Sequence, residues 1–512
     1  MKSIYKLILV IGVFYLSSCV NDLNVSPIDP NVSHGDNVYN SVKDYKEGLA
    51  KIYASIAITG QQGPGGMPDI EGDEGFYNYL RLYWNLQELS TDEAVISWND
   101  QTIKDFCWHT WSATDVFLGA MHSRIMYTVA IANEYIRATQ KSDEPEVKRF
   151  EAEARLIRAL AYSHGMDLFG PMPFVTEANL PGAFFPERIS REDLFSYIES
   201  ELQEVKGLLG EPRFEYGRAD KAVAAMLLAK IYLNAEVYIG EPKYTECLNE
   251  LQEVFNDGYY IPNQYMNNFV ADNHTSPEII FPMIYDGIKT QSFGGTMYLV
   301  LSQIGGSMDA QGMFGVQNAW AGLRTTKALV QKFDLDNDVR ALFWTDGQNL
   351  EINDINLFTD GYAVTKFRNR KLNGDISDSN HAEQVDTDFP MFRLADAYLM
   401  YAEAVLRGGQ GGSLNQALDM VNQLRRRANV STVSSGALDL PFILDERARE
   451  LFWEGHRRSD LIRFGQFTDG PYNWPWKGKS FEGRSTAAYR NIYPVPAQQL
   501  IANPNLKQNP GY

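Results

Sequence analysis

Cysteine is nearly absent from this chain, with 3 among 512 residues and no CxxC pair. A disulfide-stapled scaffold and a thiolate zinc centre are therefore excluded. Cys107 and Cys247 could close one bridge or stay as buried thiols, and their spacing does not choose. Histidine is sparse too, with 7 residues and no pair at the i, i+4 spacing of a helical zinc site. Basic residues are outnumbered, 46 Lys and Arg against 65 Asp and Glu, for a formal net charge of -19. Such a surface repels phosphate backbones, which argues against nucleic acid as a partner. No GxSxG elbow occurs, and no Gly-rich loop runs into Lys-Ser/Thr, so neither a serine-nucleophile turn nor a phosphate cradle is signalled.

Carboxylates are plentiful but not arranged for chemistry. Glycoside cleavage needs two carboxyls roughly 5–9 Å apart across a sugar, which sequence neighbours such as Asp73-Glu74 and Asp92-Glu93 do not predict. Asp334, Asp336 and Asp338 begin like a calcium loop, but Val339 replaces the required Gly and Thr345 the required Glu. No metal site is read, and among cofactors only a single structural calcium held by loop oxygens is left open.

Long apolar runs are also missing. Leu7–Leu16 is too short for a spanning helix, which needs roughly 20 apolar residues. It follows Lys2 and Lys6 and precedes Ser17-Ser18-Cys19, the layout of a lipoprotein signal peptide over residues 1–18. Cleavage would leave Cys19 as the lipidated first residue, anchoring the chain to a membrane without crossing it. Plain secretion is the alternative. Residues 19–40 are polar, with Pro27 and Pro30, and read as a tether.

The whole chain has the composition of an ordinary folded protein, 44% hydrophobic, 22% charged and a generous 12% aromatic, and its body is read as residues 41–512. The stretch Glu146 to Gly170 organises it. Val147, Phe150, Ala154, Ile157 and Ala161 form one apolar row, and Ala152, Leu156 and Ala159 a second. A helix with two such rows wants neighbours on both sides, and Gly170, Pro171 and Pro173 stop it. The grammar returns at 219–235 and 392–407, suggesting stacked helical hairpins of the tetratricopeptide kind. The expected fold is mainly α, with a helical scaffold over 41–58, 115–257 and 390–467. Loop-rich regions at 59–114 and 258–389, dense in Gly, Asn, Asp and aromatics, are the natural place for binding. Further helices are expected at 390–407, 414–428 and 445–464, with Glu454 and Arg458 spaced for an i, i+4 pair. The end, YPVPAQQLIANPNLKQNPGY, reads as an extended tail packed on the body.

Four runs in fixed order resemble the SusD/RagB family of outer-membrane glycan-binding lipoproteins: CVNDLNVSPIDP, EARLIRALAYSHGMDLFGPMPFV, ERARELFWEGHRRSDLIRFGQF and the terminal run above. Closer likeness to the family's starch-binding members lies in GQQGPGGMPDIEGDEGFYNY, ELSTDEAVISWNDQ, DGIKTQSFGGTMYLV and RRSDLIRFGQFTDG. The resemblance implies a tetratricopeptide-like scaffold, a variable ligand-facing region, and a SusC-like TonB-dependent porin as partner. In those members an arc of aromatic rings cups a glucan helix. Carried over, Trp320 matches an arc ring, Phe293 stands where the arc has a Tyr, and Ile96 stands where it has a Trp. Trp98 matches a neighbouring Trp, Arg81 a polar contact, and Gln101 stands where an Asn serves. Trp84, close by, could compensate for the ring lost at position 96, with packing in the core as the favoured alternative.

These residue types suit sugars. Flat rings cover the apolar C–H face of a pyranose while amide and guanidinium groups satisfy its hydroxyls. The expected function is capture of starch or maltooligosaccharides at the cell surface and their transfer to the porin, without chemistry. The alternatives are the same fold tuned to another glycan or a peptide, or a surface glycoside hydrolase.

Overall fold

The computed structural model describes residues 38–180, 182, 184–381 and 383–512. The signal peptide, Cys19 and nearly all of the tether lie outside the described residues.

Helices dominate. In chain order the principal ones are α1 (Val42–Ala57), α2 (Tyr79–Glu88), α3 (Ile103–Trp108), α4 (Val116–Thr139), α5 (Pro145–Phe169), α6 (Arg191–Lys206) and α7 (Lys221–Leu233). Then come α8 (Tyr244–Phe255), α9 (Thr296–Ser302), α10 (Leu394–Leu406), α11 (Leu414–Arg427), α12 (Leu440–Leu451) and α13 (Arg457–Arg463). The strands are short and pair in antiparallel twos. The two ribbons that matter here join β1 (Val95–Ile96) to β3 (Leu323–Arg324), and β2 (Ile279–Met283) to β4 (Phe389–Arg393).

Helix α5 sits where its two apolar rows require. Pro145 occupies its first turn, where a missing N–H costs nothing, and Gly170 ends it at φ 73°. Nearly every residue from Ala152 to Phe169 is buried. It packs on α4, α1 and α6. Packing then passes from α6 to α7, α7 to α8, α8 to α10, and α10 to both α11 and α12. Alanines at these contacts let axes approach closely, and each buried Leu, Ile or Phe contributes roughly 1.5–3 kcal/mol. Ser190 caps α6 by accepting from the Asp193 amide, and donates to the Asp193 carboxylate at 2.8 Å. The C-terminal tail returns to α5: the Tyr493 amide donates to Leu168 O at 2.8 Å, and Asn509 Nδ2 to Phe169 O at 2.8 Å. No helix of the described residues is long and apolar enough to cross a membrane.

Two helices differ from expectation. The helix expected from 390 starts at Leu394, because residues 389–393 pair with β2 instead. Pro390 disfavours helical φ/ψ at Phe389, and the Phe-Pro-Met-Phe sequence is buried throughout as a strand. The helix expected over 445–464 is broken between α12 and α13, where Trp453 (φ 65°) and Gly455 (φ 80°) turn the chain. Buried carboxyl groups fix that turn. Glu88 accepts from the Gly455 and His456 amides at 2.6 and 3.2 Å, and Glu93 from the Trp453 amide at 3.1 Å. The break also separates Glu454 from Arg458. Glu454 pairs with Lys366 and Arg393, and Arg458 with Asp167, so the expected i, i+4 pair does not form. Cys107 and Cys247 are both free, buried thiols.

Candidate functional site

The β1–β3 ribbon builds the site. Its register sets Val95 opposite Arg324 and Ile96 opposite Leu323. Two residues further along β1, and three before β3, stand Trp98 and Trp320. The pairing continues outward, with the Ser97 amide donating to Gly322 O at 2.9 Å and Ser97 Oγ to Ala321 O at 2.8 Å. Trp98 Nε1 donates to Trp320 O at 3.0 Å, which locks the first indole to the second residue's backbone. The ring centroids lie 6.2 Å apart at an interplanar angle of 56°. The 320–322 loop is itself held by the end of α9, where Leu301 and Ser302 carbonyls accept from the Trp320 and Gly322 amides at 2.9 and 2.8 Å. Those are carbonyls a helix end leaves unpaired.

Both indoles are half-buried and face an open, shallow depression of 500 Å³ lined by Phe76, Arg81, Trp98, Asn99, Asp100 and Trp320. Arg81 forms its base. Asn78 caps α2 by accepting from the Leu80 and Arg81 amides, which fixes the first turn that carries Arg81. The Arg81 guanidinium lies 4.1 Å from the Phe76 ring centre, 4.3 Å from Tyr298 and 5.6 Å from Trp98. It is 5% exposed. It donates to Gly75 O at 3.3 Å, while its Nε has no hydrogen-bond partner among the described residues. Burial lowers its pKa, but a guanidinium starts high enough to remain charged. The result is a cation wedged among three rings with one buried, unpaired N–H.

Of the residues singled out from the sequence, Arg81, Trp98 and Trp320 come together in this depression. Gln101 is exposed in the turn just before α3, adjoining Asp100. Phe293 is half-buried close by. The Cβ position of Gly75 would lie 3.1 Å from the Phe293 Cβ and 3.9 Å from an Arg81 nitrogen. Phe293 thus packs beside Gly75, outside the six side chains that line the depression.

Two positions are corrected. Ile96 is fully buried in the β1–β3 ribbon, paired with Leu323, and presents nothing to a ligand. Trp84 is also fully buried. Its Nε1 donates to Trp453 O at 2.9 Å and its ring meets Trp453 edge-on at 5.3 Å, so it belongs to the core.

Phe76, Asn99 and Asp100 were missed. Phe76 follows the Gly-rich loop, a signal that placed it in an irregular stretch without telling which way the ring turns. Asn99 and Asp100 adjoin Trp98, so adjacency could have found them. Asn99 Oδ1 and Asn356 Oδ1 both accept from Lys104 Nζ, which ties the 98–100 turn to a distant loop. The aspartates of the calcium-like stretch are used locally: Asp338 pairs with Arg340 at 2.8 Å, and Asp334 accepts from the Asp336 amide and from Asn337 Nδ2.

Tilted rings around a buried guanidinium and a few hydroxyl-matching groups can stack on and hydrogen-bond to a polyhydroxylated ring. The wider comparisons agree with the architecture. The sequence profile of the SusD family matches residues 336–512. The chain is 34% identical to the starch-binding protein SusD of Bacteroides thetaiotaomicron, covering 97% of this chain and 96% of that one. It is 25% identical to a SusD-like protein of Formosa agariphila, covering 98% of each. Among solved structures, a SusD superfamily protein from Bacteroides vulgatus superposes with a TM-score of 0.72 at 20% identity, covering 93% of this chain and 100% of that one. A laminarin-binding SusD-like protein superposes with a TM-score of 0.70 at 21% identity, covering 93% and 100%. Those superpositions show the fold. The 34% identity across nearly the whole length goes further: the chain belongs to the SusD family.

Proposed function

We propose that this chain is a cell-surface, lipid-anchored protein that captures starch or maltooligosaccharides and passes them to a SusC-like TonB-dependent porin in the outer membrane. The lipid sits on Cys19, and the protein performs no chemistry on the sugar. The observation that carries the reading is the Trp98–Trp320 pair, two indoles tilted by 56° over an open depression with Arg81 at its base. Tilted rings follow the turning faces of successive sugars in a coiled α-glucan better than those of a flat polymer. The 34% identical relative is named for binding starch, which supports the same choice. In this reading Phe76, Asn99, Asp100 and Gln101 make the secondary contacts.

A β-1,3-glucan is the second reading, since a structural neighbour is described as laminarin-binding. Affinity electrophoresis through gels containing starch, pullulan, laminarin, levan or mucin separates the two. Retardation by starch and pullulan is expected. Retardation by laminarin, levan or mucin alone would replace the α-glucan assignment. New reducing ends after incubation with maltooligosaccharides would overturn the binding-only role.

A further inference from the structure

A second concavity, sharing no residue with the depression, runs along α1. It encloses 440 Å³ and is lined chiefly by apolar groups, among them Leu49, Ala50, Ala54, Tyr216, Met283 and Ile284. It is shaped by the chain around it. Tyr216 is held by donating to Asp388 Oδ2 at 2.7 Å. Gly217, at φ 81°, allows a close approach that a side chain would block, since its Cβ would fall 2.1 Å from Ile284 Cδ1. A volume of a few hundred Å³ with apolar walls and few polar groups is the profile of a small-molecule site.

The charges around it are one-sided. Lys46, Arg218 and Lys289 line the concavity against one carboxylate, Glu215, in a protein whose formal net charge is -19. Glu215 is already shared, 3.4 Å from Lys46 and 2.7 Å from Arg218. Arg218 is further engaged by the buried Glu153. Among the described residues nothing accepts a hydrogen bond or ion pair from the Lys289 ammonium, which is exposed at the rim. A free cation beside an apolar slot complements a ligand with an apolar chain and a single anionic end. From Leu49 to Ile58 the slot follows α1 for roughly 14 Å at 1.5 Å per residue. A polyol would leave its hydroxyls unpaired against Leu, Ala, Met and Ile side chains, so the sugar of the first site does not fit here.

We propose that the α1 concavity binds a medium-chain monoanionic amphiphile, a linear carboxylate, with its chain along Leu49, Ala54 and Met283 and its head at Lys289. Calorimetric titration of the mature protein with sodium decanoate and with 1-decanol tests it. One decanoate per chain is expected, with the neutral alcohol weaker by roughly two- to fivefold, the span of an exposed ion pair. Lys289→Ala should erase that difference. Ala54→Trp and Ala50→Phe, the latter at an exposed position, should abolish decanoate binding while glucan retardation and the melting curve stay unchanged. The proposal is overturned by no saturable decanoate binding, by binding that both occluding variants retain, or by a charge preference that survives Lys289→Ala. It is equally overturned by a self-association of the protein that Ala50→Phe removes, which would mean that a second copy covers the slot.

Discussion

Trp320 is anchored through its backbone at both ends of its peptide: its amide donates to Leu301 O, and its carbonyl accepts from Trp98 Nε1. Its side chain is therefore free to stack without being needed to hold the loop. Trp320→Ala should accordingly weaken glucan binding by at least ~2 kcal/mol, about 30-fold, as at a binding hot spot. The helical circular-dichroism signal should stay intact. Unchanged retardation in starch gels would move the site elsewhere. Phe76→Ala should cost less than Trp320→Ala but more than Phe293→Ala, because Phe76 lines the depression and Phe293 lies outside its lining. Equal losses for the two phenylalanines would contradict that geometry. Residue type alone could not have made these distinctions. Trp84 and Trp98 are fourteen residues apart in one aromatic-rich stretch. One is sealed by Trp453 and Tyr298 while the other is half-exposed, and only contacts hundreds of residues away decide which.

At the scale of elements, a two-residue ribbon sets the whole site. Gly322 lies where a Cβ would meet the Trp98 indole at 2.5 Å. Gly322→Ala must push that ring, at an overpacking cost of ~1–3 kcal/mol. Glucan affinity should fall with little change in helix content, read by gel retardation and by the tryptophan emission. Retained affinity with an unshifted spectrum would show that the ribbon does not set the ring. Helix α12 does a different job. Its Glu450 is fully buried and pairs with Arg340, Arg393 and Arg427, which tie it to the loop region, β4 and α11. Removing one member of a buried ion cluster strands the others, so Glu450→Ala should cost roughly 3–5 kcal/mol in denaturant unfolding. A loss below 1 kcal/mol would mean that water reaches the cluster. The helices were legible in sequence because a 3.6-residue apolar period is a local signal, as α4, α5 and α11 illustrate. The α12–α13 break was not, since the acceptors that fix it, Glu88 and Glu93, lie some 360 residues upstream. The β4 strand was hidden likewise, as its partner β2 is over a hundred residues away. Arg81, Trp98 and Trp320 could be named from resemblance, but their meeting depends on the same long-range pairing.

For the molecule as a whole, buried titratable groups set the response to pH. Burial raises the carboxyl pKa values of Asp92, Glu446, Glu450 and Asp460, but adjacent guanidinium groups outweigh it and hold all four at about 2. Burial keeps the imidazoles neutral, with His122 held at about 4 and His109, His164 and His456 at about 3. In the unfolded chain these carboxyls titrate near ~4 and the imidazoles near ~6.5. Both sets therefore make the unfolded state bind more protons as pH falls, so stability is lost in that direction. Burial acts oppositely on Glu88 and Glu93, both raised, on Asp115 and Asp388, pushed up to about 7, and on Asp220 and Asp257, pushed up to about 6. These bind protons in the folded state first, and they gain stability as pH falls from about 7 to 4. Between pH 6.5 and 4.5 the histidines and the raised carboxyls largely offset one another, and below about 4 the gain from the raised carboxyls ends while the salt-bridged carboxyls and the imidazoles go on destabilising. Scanning calorimetry should thus find a melting temperature that is nearly level from about pH 5 to 7 and falls steeply below about 4.5. A melting temperature at pH 3.5 equal to that at pH 6 would refute this, because it would require the buried arginine–carboxylate clusters to be open to solvent in the folded protein.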